Sequence, residues 1–386
     1  MRTVTDRERR ARLAQRHGLA QPFDSIADAT DAILAWHATE NSTVYLSIAA
    51  RVAGVRPEDI DAALYDERDL VKQLAMRRTL FGVRRELLPA VIGAGGVRVA
   101  EQQRRRTLKE LGGDADHLAE LEALALEALR HEPMSTTELR AAVPELDIKI
   151  HVAPGTKYGG EQPIAPRLMS ILSATGQVVR GPNASHWRGS RPLWVAMDTW
   201  LGEQVEPLEP AEGYRVLVQR WLRAFGPGTE ADIVWWLGAT KTAVRRALAD
   251  VGAVAVQLQD GSPAWLHPED CDEVEPTAPA AALLPVLDST TMGWKQRGFY
   301  LGEHGAQVFD TVGNAGNTAW WDGRIVGGWI QCEDDRVELQ ILEEISGQAR
   351  EGLQARAAHL QDWLGEVRVS TFFPSPLMGG KRGQPA

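Results

Sequence analysis

The chain has 386 residues, 44% hydrophobic and 24% charged, with a formal net charge of −10, enough for two to four domains and a substantial core. It contains no 18-residue apolar run, and its opening stretch of ten residues has no apolar segment, so neither a membrane span nor a signal peptide is expected, and the expected location is cytoplasmic. Its two cysteines, Cys271 and Cys332, lie far apart with no Cys or His at ligand spacing, which excludes a zinc ribbon and a disulfide framework; neither metal nor cofactor is expected.

Taken in chain order, residues 1–23 read as a basic, helical lead-in ended by Gln21 and Pro22. Residues 24–114 read as a first winged-helix-like unit. Asp24 and Ser25 are caps for a helix over Ile26–Trp36, Pro57 starts a helix over Ile60–Tyr65, Arg78–Val83 has strand character, and the glycine-rich stretch from 91 to 114 forms a helix plus linker. Residues 115–206 form a second unit, with helices near His117–Arg130, Thr136–Val143 and Pro166–Ala174 and strands Gln177–Arg180 and Pro192–Met197 around a long basic tip. In residues 207–275 the order recurs: helices Tyr214–Ala224, Glu230–Leu237 and Thr242–Val251, then strands Ala253–Gln259 and Ala264–Leu266 joined at Asp260-Gly261. Three helices followed by a hairpin is the order of a winged helix, and its repetition points to double-stranded DNA as the partner.

From 276 to 386 the texture changes to short apolar runs punctuated by glycine, including Leu283–Leu287, Gln307–Phe309, Thr318–Trp321, Arg324–Ile330 and Val337–Ile341. The Asp322-Gly323 pair between alternating residues is a strong hairpin signal. A small curved antiparallel sheet or partial barrel is predicted, crossed by a helix over Ser346–Leu364 and closed by a strand over Val367–Ser370. The expected fold class is thus α+β, with tandem winged-helix units followed by a C-terminal antiparallel β-barrel-like domain. Three winged units in one chain already offer a broad surface, so a monomer is expected.

The net charge opposes a surface that grips phosphates everywhere, so its distribution matters more than its sum. Acidic residues gather near Glu203–Glu212, Glu269–Glu275 and Glu333–Asp335. Basic ones gather at Arg7–Arg16, Arg77-Arg78, Arg104–Arg106, Arg180–Arg191 and Lys241–Arg246. The candidate DNA contacts are Arg77, Arg78, Lys157 in a glycine-flanked loop, Arg180, Trp187, Arg188 and Arg191 on the second hairpin tip, and Lys295.

The repeated helix–hairpin order, the run Leu284–Lys295 (Leu-Pro-Val-Leu-Asp-Ser-Thr-Thr-Met-Gly-Trp-Lys), Gly313-Asn314-Ala315-Gly316 and Asp322–Trp329 together resemble the winged-helix DNA glycosylases typified by AlkZ and YcaQ, from about Arg12 to Leu377. The resemblance implies three winged helices and a β-barrel forming a concave DNA-binding surface, and excision of alkylated purines or unhooking of interstrand crosslinks. It also implies a catalytic Gln-Φ-Gln or Gln-Φ-Asp triplet, where Φ is apolar, closing the first helix of the first unit. The matching place here is His37-Ala38-Thr39, followed by Glu40.

Releasing an N7-alkylated purine needs little acid catalysis, because the leaving base is already cationic. What remains is to place a water below C1′ and stabilise the oxocarbenium-like charge. A neutral His37 can orient that water or accept its proton, Thr39 can add a second hydrogen bond, and Glu40 can set the imidazole tautomer or the local potential. A DNA-binding protein that kept the fold and lost the reaction, regulatory or lesion-recognising, is the alternative that the altered triplet leaves open.

Overall fold

The computed structural model describes residues 1–152 and 160–379. Lys157 therefore lies outside the described residues. The chain begins with a short strand, Thr3–Val4, which pairs in parallel with Val254–Leu258 and so adds a third strand to the hairpin Val254–Leu258/Pro263–Leu266. Thr5 caps the helix Asp6–Arg16 by accepting from the Glu8 amide. The arginines of this lead-in are not a solvated basic face. Arg12 is 1% exposed and pairs with Glu8 and Asp270, and Arg16 also reaches Asp270, so the basic opening and the acidic stretch near 270 neutralise each other.

Three segments then repeat a helix-rich stretch followed by a hairpin. The first has helices Ile26–Ile33, Asn41–Ala49 and Pro57–Asp61 and a sheet in which Leu80–Arg84 lies between Trp36–His37 and Leu70–Leu74. The second has helices Ala115–His131, Thr136–Ala142 and Ala165–Ala174 and the pair Val178–Asn183/Pro192–Ala196. The third has helices Pro210–Phe225, Glu230–Leu237 and Lys241–Val251, the second of which opens with a capping box between Thr229 and Asp232. The glycine-rich stretch 91–114, expected as a helix plus linker, is helical from Ile92 through Glu110, and a short turn leads from there to Ala115. Its glycines are crossing points: a Cβ on Gly93 would sit 2.0 Å from the Leu208 carbonyl oxygen.

The C-terminal segment is an open antiparallel sheet in the order Ala281–Leu284, Thr318–Trp321, Arg324–Gln331 and Val337–Ile341, and among the described residues it does not close into a barrel. Asp322 and Gly323 both have positive φ, as the two-residue turn demands. Two expected strands are absent. Gly305–Val308 is a short helix, and Val367–Ser370 is extended chain tied by the Gln331 side chain, which donates to the Val367 carbonyl and accepts from the Val369 amide. One side-chain amide at the end of an interior strand thus ties this segment to the sheet without a backbone ladder.

The second segment has its own core, running from Leu118 to Trp194. The first and third segments do not. One apolar cluster joins Leu13, Phe81, Trp221, Trp236, Trp294 and Trp320, and another joins Trp36, Tyr45, Trp187, Trp329 and Leu353, so both extend into the C-terminal sheet. Between them lies a fully buried ion pair. The Arg51 guanidinium donates to both Asp288 carboxylate oxygens at 2.7 and 2.9 Å, with each residue 0% exposed. Ser47 Oγ and the Thr290 amide also donate to Asp288, and Arg51 donates to the carbonyls of His17 and Ser47. Burial pushes the Asp288 carboxyl up, but the Arg51 charge and these hydrogen bonds outweigh it and hold it below the ordinary range.

Removing one member of such a pair strands the other charge. Asp288→Ala is expected to lower unfolding free energy by about 3–5 kcal/mol, measured by urea denaturation; a loss below about 1 kcal/mol would show that the pair is not a principal tie.

Candidate functional site

The helix that leads to the triplet is shorter than its apolar pattern suggests. It ends at Ile33, Leu34 takes φ 70 and ψ −47, and the Ala35 amide donates to the Ile33 carbonyl at 2.9 Å. That is a left-handed γ-turn, a strained conformation rare for a side-chain-bearing residue. It turns the chain from helix into the edge strand Trp36–His37, the Ala38 amide still donates to the Leu80 carbonyl, and Thr39 lies in the bend before Glu40, the residue that precedes the helix Asn41–Ala49. Buried Trp36 anchors the turn by donating from Nε1 to Thr30 Oγ1 at 2.8 Å. Ser289 seals the outer edge: its hydroxyl donates to the Ala35 carbonyl at 2.6 Å and accepts from the His37 amide at 3.1 Å.

His37 ends the edge strand, Ala38 is buried beside it, and Thr39 stands exposed two residues on, in the bend before the helix Asn41–Ala49. His37 is 6% exposed, its ring edge-on to Phe81 at 5.5 Å, and its Nδ1 is buried without a hydrogen-bond partner. Burial first, then the nearby Arg77, pushes its pKa down to about 3, against a weaker pull from Asp288, so the imidazole is neutral at physiological pH. Thr39 is exposed. Glu40 does not set the imidazole tautomer: its Oε1 accepts from Thr371 Oγ1 and the Phe372 amide. It latches the C-terminal extended segment and lines a cavity of about 470 Å³ with Thr43, Trp329 and Met378.

The expected DNA contacts fall in different settings. Arg78, Arg188, Arg191 and Lys295 are exposed. Arg77 is half-buried with its guanidinium 4.1 Å from the Trp235 ring, and Arg180 lies over Trp194. Trp187 is not presented at a free tip. It is 8% exposed, stacked on Tyr45 at 5.3 Å and edge-on to Trp363 at 5.4 Å, and Asn41 donates to its carbonyl, because the basic tip folds down onto the first segment. The helix Lys241–Val251 has its arginines engaged with acids: Arg245 pairs with Glu230 and Arg246 with Asp250.

Sequence reasoning gave Ser289, Asp288 and Arg51 no role. The available signal was a lone charge in apolar surroundings, Arg51 ending a largely apolar helix and Asp288 following Leu283–Leu287, since such charges are seldom buried without a partner.

This chain shares its fold with a solved DNA repair protein: the structure of the Streptomyces sahachiroi DNA glycosylase AlkZ superimposes with a TM-score of 0.74 at 20% identity, covering 93% of this chain and 97% of that one. The chain belongs to the AlkZ-like DNA glycosylase family, whose model matches residues 30–363. A relative described as an interstrand DNA cross-link repair glycosylase of Streptomyces sahachiroi is 24% identical over 211 residues, 52% of this chain. The match spans 56% of that relative's length, a little over half.

Two predictions come from this geometry. Ser289→Ala leaves a buried amide and a buried carbonyl unpaired at the triplet, and a loss of about 1–3 kcal/mol in unfolding free energy is expected; an unchanged urea midpoint would refute the bridging role. The second concerns pH. His17 and His37 both titrate near 3 when folded, mainly through burial, against 6.5 as the ordinary value, so the unfolded chain binds more protons as pH falls below about 6.5. Stability is therefore expected to fall on acidification, by about 1.4 kcal/mol per pH unit for each histidine, and His37→Gln should remove about one proton from that slope.

Proposed function

We propose that this chain is a monofunctional DNA glycosylase. Acting as a monomer on lesion-bearing duplex DNA, it hydrolyses the N-glycosidic bond of an alkylated purine or unhooks an interstrand crosslink, with His37 and Thr39 positioning the water. Family membership supports the reaction class, and the name of the Streptomyces relative supports crosslinks among the substrates. The observation that carries the local reading is a neutral imidazole at the end of an edge strand whose backbone Ser289 locks, two residues before an exposed threonine.

On this reading residues 24–114, 115–206 and 207–275 are winged-helix units behind the lead-in of residues 1–23, and residues 276–386 supply the fourth wall, with the open sheet in the role of a barrel. Exposed Arg78, Arg188, Arg191 and Lys295 then meet phosphates, which fix register without reading sequence.

With its pKa near 3, His37 is a poor proton acceptor, so its contribution is to hold the water and not to deprotonate it. That suffices where the leaving purine already carries positive charge. A neutral ring also adds no cation opposite the oxocarbenium-like sugar. Thr39, exposed in the bend that follows, supplies the second hydrogen bond. No metal or nucleotide enters this scheme.

Duplexes carrying N7-methylguanine, N3-methyladenine or an interstrand crosslink are expected to yield alkali-labile abasic sites or unhooked strands. His37→Ala should slow release by about 10²-fold, the order expected when a reacting group is mispositioned. The wild-type rate should stay flat between about pH 5 and 8, because His37 does not titrate there. Duplex binding without release from any of the three substrates would favour the non-catalytic DNA-binding reading.

A further inference from the structure

We propose that Arg77, Arg78 and Arg98 form a clamp for a single phosphate group, the phosphodiester of a bound duplex near the His37–Thr39 triplet. The clamp rests on the duplex-binding reading above. The three arginines line a cavity of about 190 Å³ with Gln102 and Tyr214, and no carboxylate lines it.

The tip of the hairpin between Leu70–Leu74 and Leu80–Arg84 carries two consecutive side-chain-bearing residues in the left-handed region, Arg77 at φ 56 and Arg78 at φ 57. One such residue is uncommon, and two in succession cost the fold conformational energy that ordinary turn residues would avoid. The tip is nevertheless tightly seated. A Cβ on Gly238, which closes the helix Glu230–Leu237, would lie 3.1 Å from Arg77 Cγ and 3.2 Å from Arg77 N, so a side chain there would push the tip away by a few tenths of an ångström. Strain held in place by packing is a mark of a functional site.

The charges point the same way. Arg85, Arg104, Arg140, Arg245 and Arg336 each pair with a carboxylate. Among the described residues Arg77, Arg78 and Arg98 make no ion pair, and Arg77 Nε is buried without a hydrogen-bond partner. Arg77 and Arg297 also lie against the same ring, Trp235, at 4.1 and 5.1 Å. Burial and this second guanidinium push Arg77 down to about 10. Like charges gathered without an acid are stabilised by an anion. Arg98 is aimed by its bond from Nη1 to the Gly238 carbonyl at 2.6 Å and by a second to the Tyr214 hydroxyl, and its remaining donors are available. Guanidinium forks match phosphate oxygens, and the Tyr214 hydroxyl and Gln102 amide add neutral donors.

Phosphate in this cavity would also reach the triplet. Arg77 is the charge that most disfavours a protonated His37, so cancelling it removes an unfavourable field from the place where the sugar becomes cationic. Backbone capture and water positioning are coupled through one arginine.

The test is the salt dependence of binding to a short undamaged duplex, followed by fluorescence anisotropy. Arg78 and Arg98 are exposed, so Arg78→Gln/Arg98→Gln should fold, which a circular-dichroism melt checks. If both grip one phosphate, the slope of log K against log salt should fall by about 0.9 in the double variant, not by twice that. Arg336→Gln, exposed and paired with Asp334, should leave the slope unchanged. A wild-type slope in the folded double variant would overturn the clamp. If no form binds duplex, the reading beneath it fails, and thermal melting in inorganic phosphate against chloride at equal ionic strength decides the site. Stabilisation by phosphate that the double variant loses would keep the anion site with free phosphate as its ligand, and no stabilisation would overturn it.

Discussion

The Arg51–Asp288 pair is the tie on which the arrangement of the rest depends. Arg51 follows the helix Asn41–Ala49 and Asp288 lies between the first and second strands of the C-terminal sheet, 237 residues away in sequence. Two fully buried opposite charges tolerate little relative movement, because any separation exposes one of them to an apolar interior. The surrounding network is saturated. His17 Nε2 faces the Ala224 carbonyl, which can only accept, so Nδ1 accepts from Thr290 Oγ1, and that oxygen in turn accepts from Arg51. Helices from the lead-in, the first segment and the third segment therefore converge on the four residues Asp288–Thr291.

Ser289 sits inside this anchor and extends it to the candidate site. Its neighbour Asp288 fixes its backbone, and its hydroxyl then fixes the edge strand on both sides of Trp36. A strained turn at Leu34 persists because Trp36 is buried and Ser289 holds the strand beyond it. The start of the triplet is thus placed by a residue some 250 positions later in the chain, with His37 on the edge strand and Thr39 in the bend that follows it.

Charge is used in two ways. Most arginines are engaged with nearby acids: the lead-in with Asp270, Arg85 with Glu203, Arg245 with Glu230. This accounts for a chain that is acidic overall yet carries many basic clusters in sequence. The clusters that stay unpaired are few and local, and the hairpin tip at Arg77-Arg78 is the most constrained of them. A net charge of −10 and a basic patch beside the triplet are therefore compatible.

The local elements were legible in the sequence because their signals are local. The Asp322-Gly323 turn and the helix Glu230–Leu237 stand where expected, the helix expected from Thr242 starts one residue earlier, and the one expected from Tyr214 starts at Pro210, all set by propensity and turn chemistry within a few residues. The triplet rests on its resemblance to a family pattern, and its role is a proposal. The strand Leu70–Leu74 was missed because Lys72 and Gln73 break its apolar alternation while both are buried, Lys72 donating to Tyr65 and Gln73 to a carbonyl in the next segment. The extra turn given to the helix before the triplet, the barrel that stays an open sheet, the inward-facing Trp187 and the Glu40 latch were likewise invisible. Sequence alone determined which segments become helices and hairpins, since backbone preference and hydrophobic period are set over ten or so residues. Only the tertiary structure decided which charges are cancelled, which aromatic is buried and which side of a strand faces out, because those outcomes depend on partners hundreds of residues away.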